Sequence, residues 1–207
     1  MIHCIGNSHV NNFSNSRELN MNFDSFYFKS HHIGPVISYN FLENHMKSVN
    51  DILPSINKND DYLTLVVGEV DCRLHIPLQA DKQNRTDDII VEECVGRLFR
   101  CYDILIECGY NVFCLGTHPT TTECHDMSSD DRPIYGDVVR RNNICVLWES
   151  YLKIESDKRG IKFISIYRYL VDKNNITKME YFQDYCHLIG SEVYPFIVKE
   201  LQIKNII

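Results

Sequence analysis

The sequence has no long hydrophobic run, no CxxC pair, no glycine-rich phosphate loop and no sizeable basic cluster, and each absence closes off a class of function. No apolar stretch approaches the roughly 18 residues of a membrane-spanning helix, so no membrane partner is expected. The amino end has neither the basic region nor the apolar core of a secretory leader, which leads us to expect a cytoplasmic protein whose fold begins at residue 1. The net charge is −7, and the densest basic stretch, VVRRNN, is short. Phosphate backbones demand clustered Lys and Arg, so a nucleic-acid partner is not expected. Neither GxGxxG nor GxxxxGK(S/T) occurs, which counts against a nucleotide site.

The nine cysteines are odd in number. Cys94, Cys101 and Cys108 recur every seven residues, interleaved with Leu98 and Leu105, and read as the buried stripe of a helix. Cys124 and His125 in TECHD are two neighbouring ligand types without a partner pair. No metal and no cofactor are expected. Three N-x-S/T sequons, at Asn12, Asn84 and Asn175, matter only on secretion.

What is present is ordinary globular material. The chain has 207 residues, 44% apolar and 24% charged, enough for one domain with a real core over residues 1–207. Apolar runs alternate with helix-length segments. MIHCI, FDSFYF, YLTLVVG, NVFCLG and KFISIY read as five strands. Val36 to Asn50, Asp87 to Cys108, Ile134 to Asp157 and Gly190 to Gln202 read as helices. The third and fourth runs are nearly continuous, as suits strands buried on both faces. This alternation predicts an α/β fold with three layers and a mostly parallel sheet. HIPLQADKQNRTDD and THPTTTECHDMSSDDRPIYGD read as helix-poor segments on one rim of that sheet.

Ligands of open α/β sheets bind outside the carboxyl ends of the strands. The residues after each predicted strand therefore define the candidate site: Asn7, Ser8 and His9; Gly34; Glu69, Asp71, Arg73 and His75; His118; and, before the last helix, Asp184 and His187. A hydroxyl, an imidazole, a carboxylate and glycine backbones on one rim make up the inventory of acyl transfer.

Four stretches resemble the blocks of the SGNH/GDSL hydrolase superfamily. Gly6-Asn7-Ser8-His9 resembles the first block, with Asn in place of Asp. Gly34 falls where the second-block glycine is expected, and Gly68-Glu69-Val70-Asp71 where the third block, GxND, would be. Asp184-Tyr185-Cys186-His187 resembles the terminal DxxH block. Together these span nearly the whole chain. The resemblance implies a flavodoxin-like α/β/α fold with about five parallel strands and a metal-free esterase or O-acyl transferase. It implies Ser8 as nucleophile, His187 as base and Asp184 as its orienting carboxylate. The backbone N–H groups of Ser8 and Gly34 would then form the oxyanion hole. Family analogy also suggests a glycan or small-molecule ester as substrate, with the oligomeric state left open.

The chain departs from that pattern at Val70, which stands where the family places an Asn oxyanion donor. Arg73 is one conceivable replacement; it could also bind an anionic part of the substrate, or pair with Glu69 or Asp71. Asn7, His9, Glu69, Asp71, Arg73 and His118 are the candidate substrate-binding residues. Each has a plainer reading: Ser8 as a helix cap, His187 as a structural histidine, Glu69, Asp71 and Arg73 as a rim ion-pair network, and His31, His32 and His75 as surface or supporting residues. Two rival functions follow: a silent glycan- or ester-binding protein on the same fold, or a nucleotide-sugar-dependent transferase.

Overall fold

A computed structural model describes residues 1–121 and 133–207. Five parallel strands form a single sheet in the order β2-β1-β3-β4-β5: β1 (Ile2–Gly6), β2 (Phe28–His32), β3 (Tyr62–Val66), β4 (Asn111–Leu115) and β5 (Lys162–Ile164). Strand residues alternate between two cores with the period-two geometry of a pleated strand. Ile5, Leu63, Leu65, Val112 and Cys114 face one core, and Ile2, Cys4, Val66, Phe113 and Leu115 face the other. The helices α1 (Phe41–Asn44), α2 (Met46–Ile52), α3 (Ile76–Gln83), α4 (Asp87–Glu107) and α5 (Val138–Arg159) cover the first face. The second is covered by the 3-10 turn Ser8–Phe13, by Leu170 of α6 (Tyr167–Leu170) and by α7 (Gly190–Ile203). This is the expected three-layer α/β/α arrangement.

The two long helices follow from their sequences. Thr86 caps α4 and Asp137 caps α5, each side chain accepting a first-turn N–H. In α4, Ile90, Val91, Cys94, Val95, Leu98, Cys101, Tyr102 and Leu105 lie on the buried face. Cys108, however, is exposed at the helix C-cap, so the seven-residue cysteine stripe ends at Cys101.

Three further expectations are corrected. The second strand is not FDSFYF but Phe28–His32. Ser25 N–H donates to Phe28 O and Phe26 is 86% exposed, so the residues before Phe28 form a turn. Val36 to Asn50 is not one helix. Its apolar positions are buried as the periodicity implies, but the backbone breaks at His45, where φ is −123°. The segment read as helix-poor after β3 contains α3, preceded by a π-helical turn over Asp71–His75. Pro77 sits in the first turn of α3, where a proline lacks no needed N–H.

Candidate active site

The site is built where β1, β2 and β3 end. Gly6 closes β1, and a Cβ there would lie 2.1 Å from Val66 O of the neighbouring strand, so only glycine lets the strands approach. The chain then turns sharply. Asn7, not Ser8, caps the following turn: its Oδ1 accepts from His9 N–H at 3.1 Å, an Asx role that either Asn or Asp fills. Ser8 is thereby left half-buried, with its hydroxyl free for another partner.

That partner comes from the other end of the chain. His187 Nε2 lies 2.7 Å from Ser8 Oγ, and His187 Nδ1 lies 2.8 Å from Asp184 Oδ2. A carboxylate only accepts, so Nδ1 carries the ring proton and Nε2 is left to accept from the serine O–H. Asp184 is itself anchored: its Oδ1 accepts from Cys186 N–H at 2.8 Å and His187 N–H at 2.7 Å. Burial alone would raise the proton affinity of Asp184, but the bonds from the His187 ring and the two backbone N–H groups hold it well below the usual carboxylate range. The loop is fixed on both sides. Asn11 Nδ2 donates to Leu188 O, and Thr121 Oγ1 donates to Tyr185 O.

Gly34 leaves β2 on the same rim, just after Ile33 N–H donates to Gly6 O. Its φ of +92° is a left-handed conformation that favours glycine. A side chain there would meet no protein atom within 4 Å, so the space beside it is open.

The remaining candidates are buried side by side. Arg73 does not stand free as a donor: its Nε is 2.6 Å from Glu69 Oε1, and it also donates to Pro133 O. Arg73 and His9 hold Glu69 well below the usual carboxylate range against the cost of its burial. Glu69 Oε2 lies 3.0 Å from His9 Nε2, and His9 Nδ1 lies 3.1 Å from His118 Nε2. The expected ion-pair network therefore holds Glu69 and Arg73 but not Asp71. Asp71 is fully buried and accepts from Ser38 N–H and, at 2.7 Å, from Ser38 Oγ. Burial pushes its carboxyl up to about 6. Val70 opens the helical turn and brings no donor.

Three further features are not marked in the residue pattern. Cys186 Sγ lies 3.4 Å from His187 Nδ1. Among the described residues, Asp184, Cys186 and His187 are the one group whose ligand atoms, all within 4.8 Å, suit a metal ion. Cys124 and His125 lie outside the described residues. The π-helical turn over Asp71–His75 also carries no sequence signature. Finally, the short basic run is internal. Arg140 pairs with Asp81 and Asp87, while Arg141 is buried and holds Thr121 O and Thr120 Oγ1, fixing the loop after β4.

No family model matches the chain, and no curated protein does either. Solved structures do resemble it. A protein assigned as an acylhydrolase from Bacteroides fragilis superposes with a TM-score of 0.61 at 18% identity, over 100% of this chain and 88% of that one. A GDSL-like lipase from Bacteroides thetaiotaomicron gives 0.61 at 15% identity, over 99% and 88%. An acetyl-xylooligosaccharide esterase from Geobacillus gives 0.59 at 11% identity, over 97% and 93%. The architecture of this chain is the SGNH/GDSL hydrolase fold.

Proposed function

We propose that the chain is a serine hydrolase of carboxylic esters. The observation that carries this is the unbroken line of hydrogen bonds from Ser8 Oγ through the His187 ring to Asp184, joining residues 179 positions apart. Ser8 Oγ attacks the ester carbonyl carbon while His187 Nε2 takes the hydroxyl proton. Asp184 stabilises the imidazolium so formed and keeps Nε2 aimed at the serine. The N–H groups of Ser8 and Gly34 receive the oxyanion, and the open space beside Gly34 is where the carbonyl oxygen would lie. His187 then returns its proton to the leaving alkoxide, leaving acyl-Ser8. Water, or another hydroxyl, attacks that ester with His187 again as base and regenerates the enzyme.

Within this class we propose a short O-acyl group on a sugar or similar small molecule. Its support is the shared fold with esterases whose names specify acetyl-xylo-oligosaccharide or acetyl xylan. Release to a second hydroxyl instead of water would make the protein an O-acyl transferase. A cytoplasmic location is part of the proposal: eight cysteines among the described residues are unpaired, as a reducing compartment permits. Among the described residues, no helix is long and apolar enough to cross a membrane.

The test is turnover of p-nitrophenyl acetate and of acetylated oligosaccharides by the wild type and Ser8→Ala. We expect wild-type release of acetate and a loss on the order of 10⁴-fold or more in Ser8→Ala. Full activity in a folded Ser8→Ala protein would overturn the mechanism. Binding of acetylated sugar without turnover by the wild type would point to the silent binding protein.

A further inference from the structure

Behind the triad lies a line of buried groups that the mechanism does not use. It runs Arg73–Glu69–His9–His118–Pro119 O, and all four residues are at most 5% exposed. Its ring contacts are His9 Nε2 to Glu69 Oε2 at 3.0 Å, His9 Nδ1 to His118 Nε2 at 3.1 Å, and His118 Nδ1 to Pro119 O at 3.0 Å.

The protons in this line can be counted. Glu69 is a carboxylate and Pro119 O a carbonyl, so each end of the line only accepts. His9 Nε2 and His118 Nδ1 must each carry a proton. The central nitrogen-to-nitrogen contact needs one more, on either side. That makes three protons on two rings, where two neutral imidazoles hold only two. A neutral pair would leave two lone pairs facing each other at 3.0 or 3.1 Å inside the protein. We propose that His9 and His118 share one extra proton as a single buried imidazolium pair, paired with Glu69, and that this cation positions and electrostatically biases His187.

Burial favours the neutral forms: it pulls the His118 ring down to about 3 and lowers His9 as well, although Glu69 opposes the shift at His9. The hydrogen bonds made only by the charged pair offset that burial. Among the described residues, the charged and titratable neighbours are few. Glu69 and Arg73 come from the turn after β3, and Asp184, Cys186 and His187 from the loop before α7. Cys145 of α5 contributes its thiol at the His118 carbonyl. Glu69 is one carboxylate shared by two cations, Arg73 and the pair, and so neutralises only one of them. The His9 ring lies 5.3 Å from that of His187, tilted by 36°, and so both supports its face and opposes a second positive charge on it.

This rests on the esterase reading only for its consequence, and two measurements separate the parts. Nitrogen-15 NMR of labelled histidine rings at pH 7.5 counts ring protons without any turnover. We expect one strongly coupled pair with three protonated nitrogens, lost in Glu69→Gln. Two rings that each keep a fully unprotonated nitrogen would overturn the proposal. The pH profile of kcat/KM on p-nitrophenyl acetate then reads the effect on His187. In His118→Gln the acid limb should move to higher pH by about one unit, tenfold in rate on that limb. His118→Phe, which keeps the ring shape without the charge, should shift equally. An unmoved limb with a lowered plateau in both variants would show packing alone and overturn the electrostatic role. Absence of turnover in the wild type would instead sink the esterase reading, with the proton count still decisive for the pair.

Discussion

Replacing Asp184 by Asn changes one atom and should disable the site through a tautomer. Asp184 Oδ1 accepts from two backbone N–H groups, and Oδ2 accepts from His187 Nδ1. An asparagine keeps the first two bonds by placing its carbonyl oxygen at Oδ1, so the loop stays folded. Its NH2 then occupies the Oδ2 position and donates toward His187 Nδ1. The ring must respond by moving its proton to Nε2, which then points a proton at Ser8 Oγ and cannot accept one. The loss expected from such a misplaced tautomer is on the order of 10⁴ in kcat. At 1.36 kcal/mol per decade this is about 5 to 6 kcal/mol of transition-state stabilisation. Steady-state kcat on p-nitrophenyl acetate reads the loss, and thermal unfolding confirms that the variant is folded. A folded Asp184→Asn enzyme that loses less than about tenfold would refute the assignment of Asp184.

Further expectations concern the frame around the site. Asp71 has a folded-state carboxyl raised to about 6 against an ordinary 3.8, so stability falls as pH rises between these values. About two units correspond to about 3 kcal/mol, and Asp71→Asn should remove that share of the decline between pH 4 and 6 in unfolding-midpoint measurements, leaving the share of Glu149, which burial raises to about 8. A decline unchanged in Asp71→Asn would place the titration elsewhere. Gly6→Ala should push β1 from β3, because the added Cβ meets backbone oxygen and not a flexible side chain. Little folded protein is expected, and a wild-type melting temperature would contradict the close approach. Trp148→Ala empties the largest fully buried side chain and should cost about 3 to 5 kcal/mol. In a chain of this size that is a fall of roughly 6 to 20 °C in Tm by calorimetry, and a fall of under 2 °C would mean that the indole is not well packed.

Much of this was legible from residues alone because the signals were local. Continuous apolar runs marked β3 and β4, and a polar turn after a strand marked Ser8. An Asp three residues before a His fits on one turn, so the pairing of Asp184 with His187 is a local signal. The errors share a cause as well. FDSFYF is aromatic enough for a strand, but Phe26 faces solvent and pairing starts at Phe28, a choice made by register with β1. The π-helical turn at 71–75 has no local marker, whereas the Glu69–Arg73 pair has the i,i+4 spacing of helical neighbours. No spacing rule reports the approach of His9 to His118 across 109 residues, since it depends on how β1 and β4 project from one sheet.

The central claim is that Ser8 is an activated nucleophile. Incubating the folded protein with a fluorophosphonate and reading the modified residue by peptide mass spectrometry tests it directly. A single adduct on Ser8, absent in Ser8→Ala and slowed in Asp184→Asn, is the predicted outcome. An unlabelled Ser8 in protein whose native fold is verified, or labelling that survives in Ser8→Ala, would contradict it.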